Sequence, residues 1–179
     1  LSNDLNIINK KITLIDLAEK KIFFEDNDYY SYEKLINTIP LDNFIKLVKD
    51  VPKSIKVAAS KLNCTSLLLI NVLSKGETSI PYHWLYVYDE ELLSTRITQS
   101  HLLSKKNTKK GYSAIQVEVY ESDYRKFKIN HEKIKNKVCK ELINMGIIDN
   151  VEKSHYQYIN HANIIFDHSR KNNLNMIFK

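Results

Sequence analysis

Gly76, Gly111 and Gly146 are the only glycines in this chain, and they stand far apart. A loop that cradles phosphates needs several glycines within a few residues, because the backbone must both turn tightly and approach the ligand closely. A self-contained Walker or Rossmann nucleotide site of the usual kind is therefore excluded. The chain is nonetheless built to fold. Its 179 residues are 43% hydrophobic, enough for one domain with a core of its own. Two cysteines, Cys64 and Cys139, make neither a disulfide framework nor a four-ligand zinc site. The first residue is Leu1 and not Met, which leads us to expect a piece cut from a longer protein.

The net charge of +6 invites a nucleic-acid reading, but the basic residues argue against it. Only Arg96, Arg125 and Arg170 are arginines, the side chain that grips phosphate and guanine edges bidentately. The densest basic stretch, Lys105, Lys106, Lys109 and Lys110, has no interleaved aromatics and reads as a solvated loop. No signal-peptide pattern opens the chain, and the apolar stretch from Leu67 to Leu73 is too short to span a bilayer. A cytoplasmic domain with no nucleic-acid partner and no membrane span is expected.

Alternation over Lys11–Asp16 and Lys20–Phe24 predicts a β-hairpin, followed by Tyr29, Tyr30 and Tyr32 after a polar turn. Leu35, Ile36 and Ile39 suggest a short buried strand ending at Pro40, which is placed to open a helix. Leu41, Phe44, Ile45 and Val48 recur at helical spacing, and a second helix runs from Lys53 to about Leu62. Cys64–Leu73 reads as a strand covered on both faces, His83–Tyr88 as an aromatic strand, and Arg96–Leu103 as a further short one. Tyr112–Val119 alternates cleanly, with Ile115, Val117 and Val119 on one face. His131–Met145 carries an apolar stripe between a capping Asn130 and a terminating Gly146. Val151–Phe166 reads as one or two strands and Ser169–Phe178 as a final helix. The class is α+β: a mixed or mainly antiparallel sheet of about six strands, helices packed on one face, in a single domain over 1–179.

Chemistry is sparse. His155, His161 and His168 lack the spacing of a metal site, so no metal is expected. Cys64 and Cys139 both fall in apolar patterns, where thiols are inert. The tyrosines are more informative. Tyr82, Trp84, Tyr86 and Tyr88 share one face of a strand. Such a wall is most often core, and otherwise lines a sugar or aromatic-ligand cleft. Arg96 lies just beyond it, either as a diphosphate or carboxylate clamp or in a surface salt bridge to Asp89 or Glu90.

Four stretches carry a resemblance. Ile36-Asn37-Thr38-Ile39-Pro40-Leu41 resembles the I-S-T-I-P-L segment of FAD-dependent amine-oxidase-like proteins, following a hairpin as it does there. His83-Trp84-Leu85-Tyr86-Val87-Tyr88-Asp89, with Thr95-Arg96-Ile97 after it, is similar to their H-W-I-Y-F-P-D block and the F-Y-R-I that follows. Gly111–Glu118 is similar to their G-x-S-x-x-x-x-E strand, and Ile164–Arg170 stands where they have an A-Y-P-I-Y-D turn. The nearest branch is the protoporphyrinogen-oxidase-like and UDP-galactopyranose-mutase-like proteins of surface-polysaccharide loci.

The resemblance implies a substrate-binding domain excised from an FAD-dependent oxidoreductase and inactive in isolation. FAD would be held by a separate FAD-binding domain of the parent chain, so no cofactor-binding residue is expected here and the catalytic residues are unknown. The implied substrate-binding residues are Arg96, Trp84, Tyr86 and Tyr88, with Arg96 matching the mutase arginine that holds the substrate diphosphate. The implied partner is a small molecule, a sugar nucleotide among the candidates. A sugar-nucleotide or polyanion-binding module without enzymatic activity is the alternative. The chain departs from the mutases at His101, Leu102 and Leu103, where they carry an Asn and then a Tyr, and at Asn163-Ile164, where they carry Tyr-Pro. These departures weigh against galactopyranose mutase chemistry and leave the broader flavin-oxidoreductase class.

Overall fold

The computed structural model describes residues 5–179, which fall into two compact units. The first unit is Leu1–Asn63 with Phe166–Lys179, described from residue 5. Strands β1 (Ile12–Asp16), β2 (Lys21–Phe24) and β3 (Tyr29–Ser31) form an antiparallel sheet in that order. The expected hairpin is thus present, and the tyrosines after it form a third strand. Buried Asp16 closes the hairpin turn: its carboxylate accepts from the Glu19 N–H at 2.9 Å and from Lys49 Nζ at 2.8 Å. Helices α1 (Leu41–Leu47) and α2 (Lys53–Ser60) each start directly after a proline, Pro40 and Pro52, whose missing N–H costs a helix start nothing. Helix α5 (Arg170–Ile177) packs against α2.

The strand expected at Leu35–Ile39 does not form, and Ile36 is 90% exposed. Asn37 explains this. Its side chain accepts from the Ile39 N–H at 2.9 Å and donates to the Ile39 carbonyl at 3.1 Å, taking the backbone groups a strand would need.

The second unit, Cys64–Ile165, holds a five-stranded antiparallel sheet in the order β5-β6-β7-β4-β8. Its strands are β4 (Ser66–Lys75), β5 (Trp84–Tyr86), β6 (Arg96–Gln99), β7 (Tyr112–Glu121) and β8 (Lys153–Ile159). The α+β class and the antiparallel pairing are as expected, with the strands shared between two sheets. The stretch after β6 is not strand but a short helix, α3 (Ser100–Leu103).

Alternation places Leu68, Ile70 and Val72 of β4, Ile97 of β6, and Ile115, Val117 and Val119 of β7 on one face. Helix α4 (His131–Asn144) covers that face with Ile134, Val138 and Leu142. Each of these fully buried aliphatics contributes roughly 1.5–3 kcal/mol relative to exposure. The helix ends are set locally. The Asn130 side chain accepts from the Lys133 N–H at 2.9 Å. At the other end Gly146 takes φ 66°, while the Gly146 and Ile147 N–H groups return to the Ile143 and Leu142 carbonyls, a Schellman ending. No helix among the described residues is long and apolar enough to cross a membrane.

Candidate functional site

The other face of this sheet gathers the side chains of interest. Residues directly paired across strands point the same way. One cross-strand row therefore runs Trp84, Thr98, Gln116, Asn71, His155, and the next runs Tyr86, Arg96, Glu118, Leu69, Gln157. Polar contacts link the first row: Gln116 donates to Asn71 Oδ1 at 3.0 Å, and Asn71 Nδ2 meets His155 Nε2 at 3.4 Å.

Trp84, Tyr86 and Tyr88 are 54%, 51% and 90% exposed, so the aromatic wall is not core. The reason is topological. Strand β5 is three residues long and lies at the sheet edge, and only Leu85 and Val87 between these aromatics pack against the core. Tyr86 stands directly opposite Arg96, whose guanidinium carbon lies 6.0 Å from the Tyr86 ring centroid, and Trp84 shares the same face opposite Thr98. Tyr88 does not join them. It leaves the strand and lines a cavity of about 750 Å³ at the end of the sheet, together with Asp89, Thr95, Tyr120 and Phe127.

Arg96 pairs with neither Asp89 nor Glu90. Its Nε donates to Glu118 Oε1 at 3.0 Å, and Nη2 bonds the same oxygen. Glu118 is buried, and its second oxygen accepts from the Tyr120 hydroxyl at 2.5 Å. The Tyr86 hydroxyl, then Glu118, push the Arg96 guanidinium above its ordinary range. Burial, then the bond to Glu118, raises the Tyr120 phenol. A guanidinium has five N–H donors. Nε and Nη2 are spent on Glu118 and the Tyr86 hydroxyl is a further partner, which leaves the remaining donors beside the exposed Tyr86 ring. Such a half-exposed cation, oriented by a buried carboxylate and beside an exposed aromatic ring, is equipped to hold a phosphate or carboxylate on a molecule that stacks.

Two further buried polar residues position this strand, and the alternation pattern did not single them out. Gln99 is the last residue of β6 and is fully buried. It donates to the Ile80 and Tyr82 carbonyls at 2.9 and 2.5 Å and accepts from the Thr78 hydroxyl, which fixes the approach to β5. Glu141 stands on the inward side of α4. It accepts from the Leu93 and Ser94 N–H groups at 3.0 and 3.2 Å and from the Ser94 hydroxyl at 2.8 Å, which fixes the loop leaving β5. The available signal was a polar residue inside an apolar period. Of the departures noted above, His101 Nδ1 meets the Ala114 carbonyl at 3.1 Å, Leu103 is exposed, and the Asn163 carbonyl accepts from the Thr65 N–H while its N–H donates to the Thr65 hydroxyl. Cys139 is buried, and burial pushes its thiol up, as expected of an inert cysteine.

Gly76, Gly111 and Gly146 each stand singly at a turn, and every strand pairing in both sheets is antiparallel, so no strand–glycine turn–helix cradle exists among the described residues.

No protein-family model matches the chain, and no curated protein sequence does. Solved structures match its fold. A reduced UDP-galactopyranose mutase superposes with a TM-score of 0.83 at 23% identity, over 93% of this chain and 37% of that one. A candidate protoporphyrinogen oxidase from Exiguobacterium sp. 255-15 matches with a TM-score of 0.63 at 12% identity, over 93% and 38%. A putrescine oxidase variant matches with a TM-score of 0.58 at 9% identity, over 86% and 35%. The chain thus spans little more than a third of the length of these proteins, and it shares the fold of one portion of them, the group its sequence resembles.

Proposed function

We propose that this chain is the substrate-binding domain of an FAD-dependent oxidoreductase of the amine-oxidase and protoporphyrinogen-oxidase type, with FAD held by a separate domain of the parent chain. The observation that carries this reading is one sheet face, which exposed Trp84 and Tyr86 share with an Arg96 held by buried Glu118. The fold likeness, limited to about a third of each flavoenzyme-like relative, supports it. Trp84 and Tyr86 stack on the substrate, Arg96 binds its anionic group, and Tyr88 borders the neighbouring cavity. A cytoplasmic setting and a place in surface-polysaccharide biosynthesis belong to the same reading.

A second reading, a sugar-nucleotide-binding module, is favoured by a half-exposed guanidinium on the same sheet face as the exposed Trp84 and Tyr86 rings, a pairing that suits a diphosphate joined to a base. One experiment addresses both. Trp84 is the only tryptophan, so its fluorescence reports the site directly. Titration with UDP-galactose and UDP-glucose is expected to quench it, and Arg96→Ala to weaken the quench about tenfold, since bonds to charged groups are worth roughly 1.5–3 kcal/mol. Flavin-independent, Arg96-dependent binding favours the module. A purified chain that is yellow with bound FAD sinks the proposal of a separate flavin-holding domain.

A further inference from the structure

The basic stretch between α3 and β7 has a second role available to it. Lys106 and Lys109 of that stretch and Lys153 at the start of β8 converge on a cavity of about 630 Å³, whose walls also include Leu73, Thr108 and Tyr112. Lys106 and Lys109 come from one loop, and Lys153, distant in sequence, joins them beside Leu73, its partner across the sheet. Among the described residues none of them has an ion-pair partner, and Glu152, the one acidic residue on the wall, is paired with none of them. The Thr108 hydroxyl is sheltered from solvent and has no hydrogen-bond partner in the protein, a condition that buried hydroxyls rarely keep. Thr108 lines the cavity, and rotation about its Cβ–Oγ1 bond lets the hydroxyl proton turn to an acceptor.

We propose that this cavity binds a compact phosphoanion, a phosphate or diphosphate group of a small molecule. Three ammonium groups against one carboxylate leave a net charge of about +2, which matches a phosphate dianion. Lysine binds phosphate as a point charge, and the Thr108 hydroxyl and Tyr112 phenol add neutral donors. A nucleic-acid strand fits less well, since the wall offers no arginine and one aromatic ring. The site is separate from Arg96. Tyr112 and Glu118 lie six residues apart on β7, roughly 20 Å along the strand. The proposal is therefore independent of the function assigned to the Trp84 face.

The test is calorimetric titration of the full chain with inorganic pyrophosphate at low salt, with a single-stranded oligonucleotide as the competing arm. Saturable one-to-one binding is expected, weakened about tenfold by Lys109→Gln and by Lys153→Gln, both exposed positions whose replacement leaves the fold intact by circular dichroism. Thr108→Val is expected to weaken binding several-fold, and Thr108→Ser, which keeps the hydroxyl, to restore it. Absence of saturable pyrophosphate binding by the folded chain, binding unchanged in the Lys109→Gln/Lys153→Gln double variant, or binding of the oligonucleotide alone would each overturn the proposal.

Discussion

Glu118→Gln keeps the size of the side chain and removes its charge, which makes it the sharpest probe of how Arg96 is held. The carboxylate accepts three hydrogen bonds, two from Arg96 and one from Tyr120. A bond to a charged group is worth roughly 1.5–3 kcal/mol and a neutral one roughly 0.5–1.5, so the Tyr120 bond loses about 1 kcal/mol on substitution, while the Arg96 bonds keep a charged donor and lose the ion pairing. The Arg96 side chain is 39% exposed, and water screens its share. The expected net loss is about 1.5 kcal/mol, read by urea unfolding followed through Trp84 fluorescence. A second readout comes from Tyr120. Burial, then the Glu118 bond, raises its phenol above the ordinary 10.0. With the folded-state pKa raised, this stabilisation is fully present below the unfolded-state value and is lost as pH rises through the folded one. Wild type should therefore lose stability above about pH 10, and Glu118→Gln should lose less over the same window. Tyr120 is isolated by difference against Tyr120→Phe. An unfolding free energy and a Tyr120 titration both unchanged by Glu118→Gln would refute the assignment of Glu118 as the shared acceptor.

Two further outcomes follow from local geometry. Gly146→Ala should cost about 1 kcal/mol and lower the melting temperature by roughly 2–4 °C, because φ 66° strains any residue with a Cβ while the space around that Cβ is open; an unchanged melting temperature would show that the Schellman ending is dispensable. For Asp16, the Glu19 N–H first and Lys49 second hold the carboxyl below its usual 3.8. Its stabilisation is present above that value and disappears as pH falls through the lower, folded-state pKa. Asp16→Asn should therefore be less stable than wild type at neutral pH, and the gap should close in acid. A gap that persists below pH 2 would place the effect elsewhere.

Local patterns carried the fold furthest where one residue acts alone. Asn130 and Gly146 bound α4 as their chemistry requires, and the alternation of Ile115, Val117 and Val119 points into the core. Periodicity failed where a side chain competed for the backbone, as Asn37 does in the stretch expected to be a strand. It was also incomplete for the site. Alternation puts Glu118 with Ala114 and Gln116 on one face of β7, which describes a polar surface. What turns that surface into a held guanidinium is the pairing of Arg96 with Glu118 across β6 and β7, and of Arg96 with Tyr86 across β5 and β6. Those pairings are set by the length of each loop and by the buried residues that pin the loops. Gln99 fixes the entry to β5 and Glu141 the exit. A one-residue slip in either would turn Trp84 and Tyr86 to the opposite face of the sheet. A polar residue inside an apolar period therefore has a specific meaning in this unit. It spends its hydrogen bonds on loop backbone, and through that backbone it sets which side of the edge strand faces a ligand.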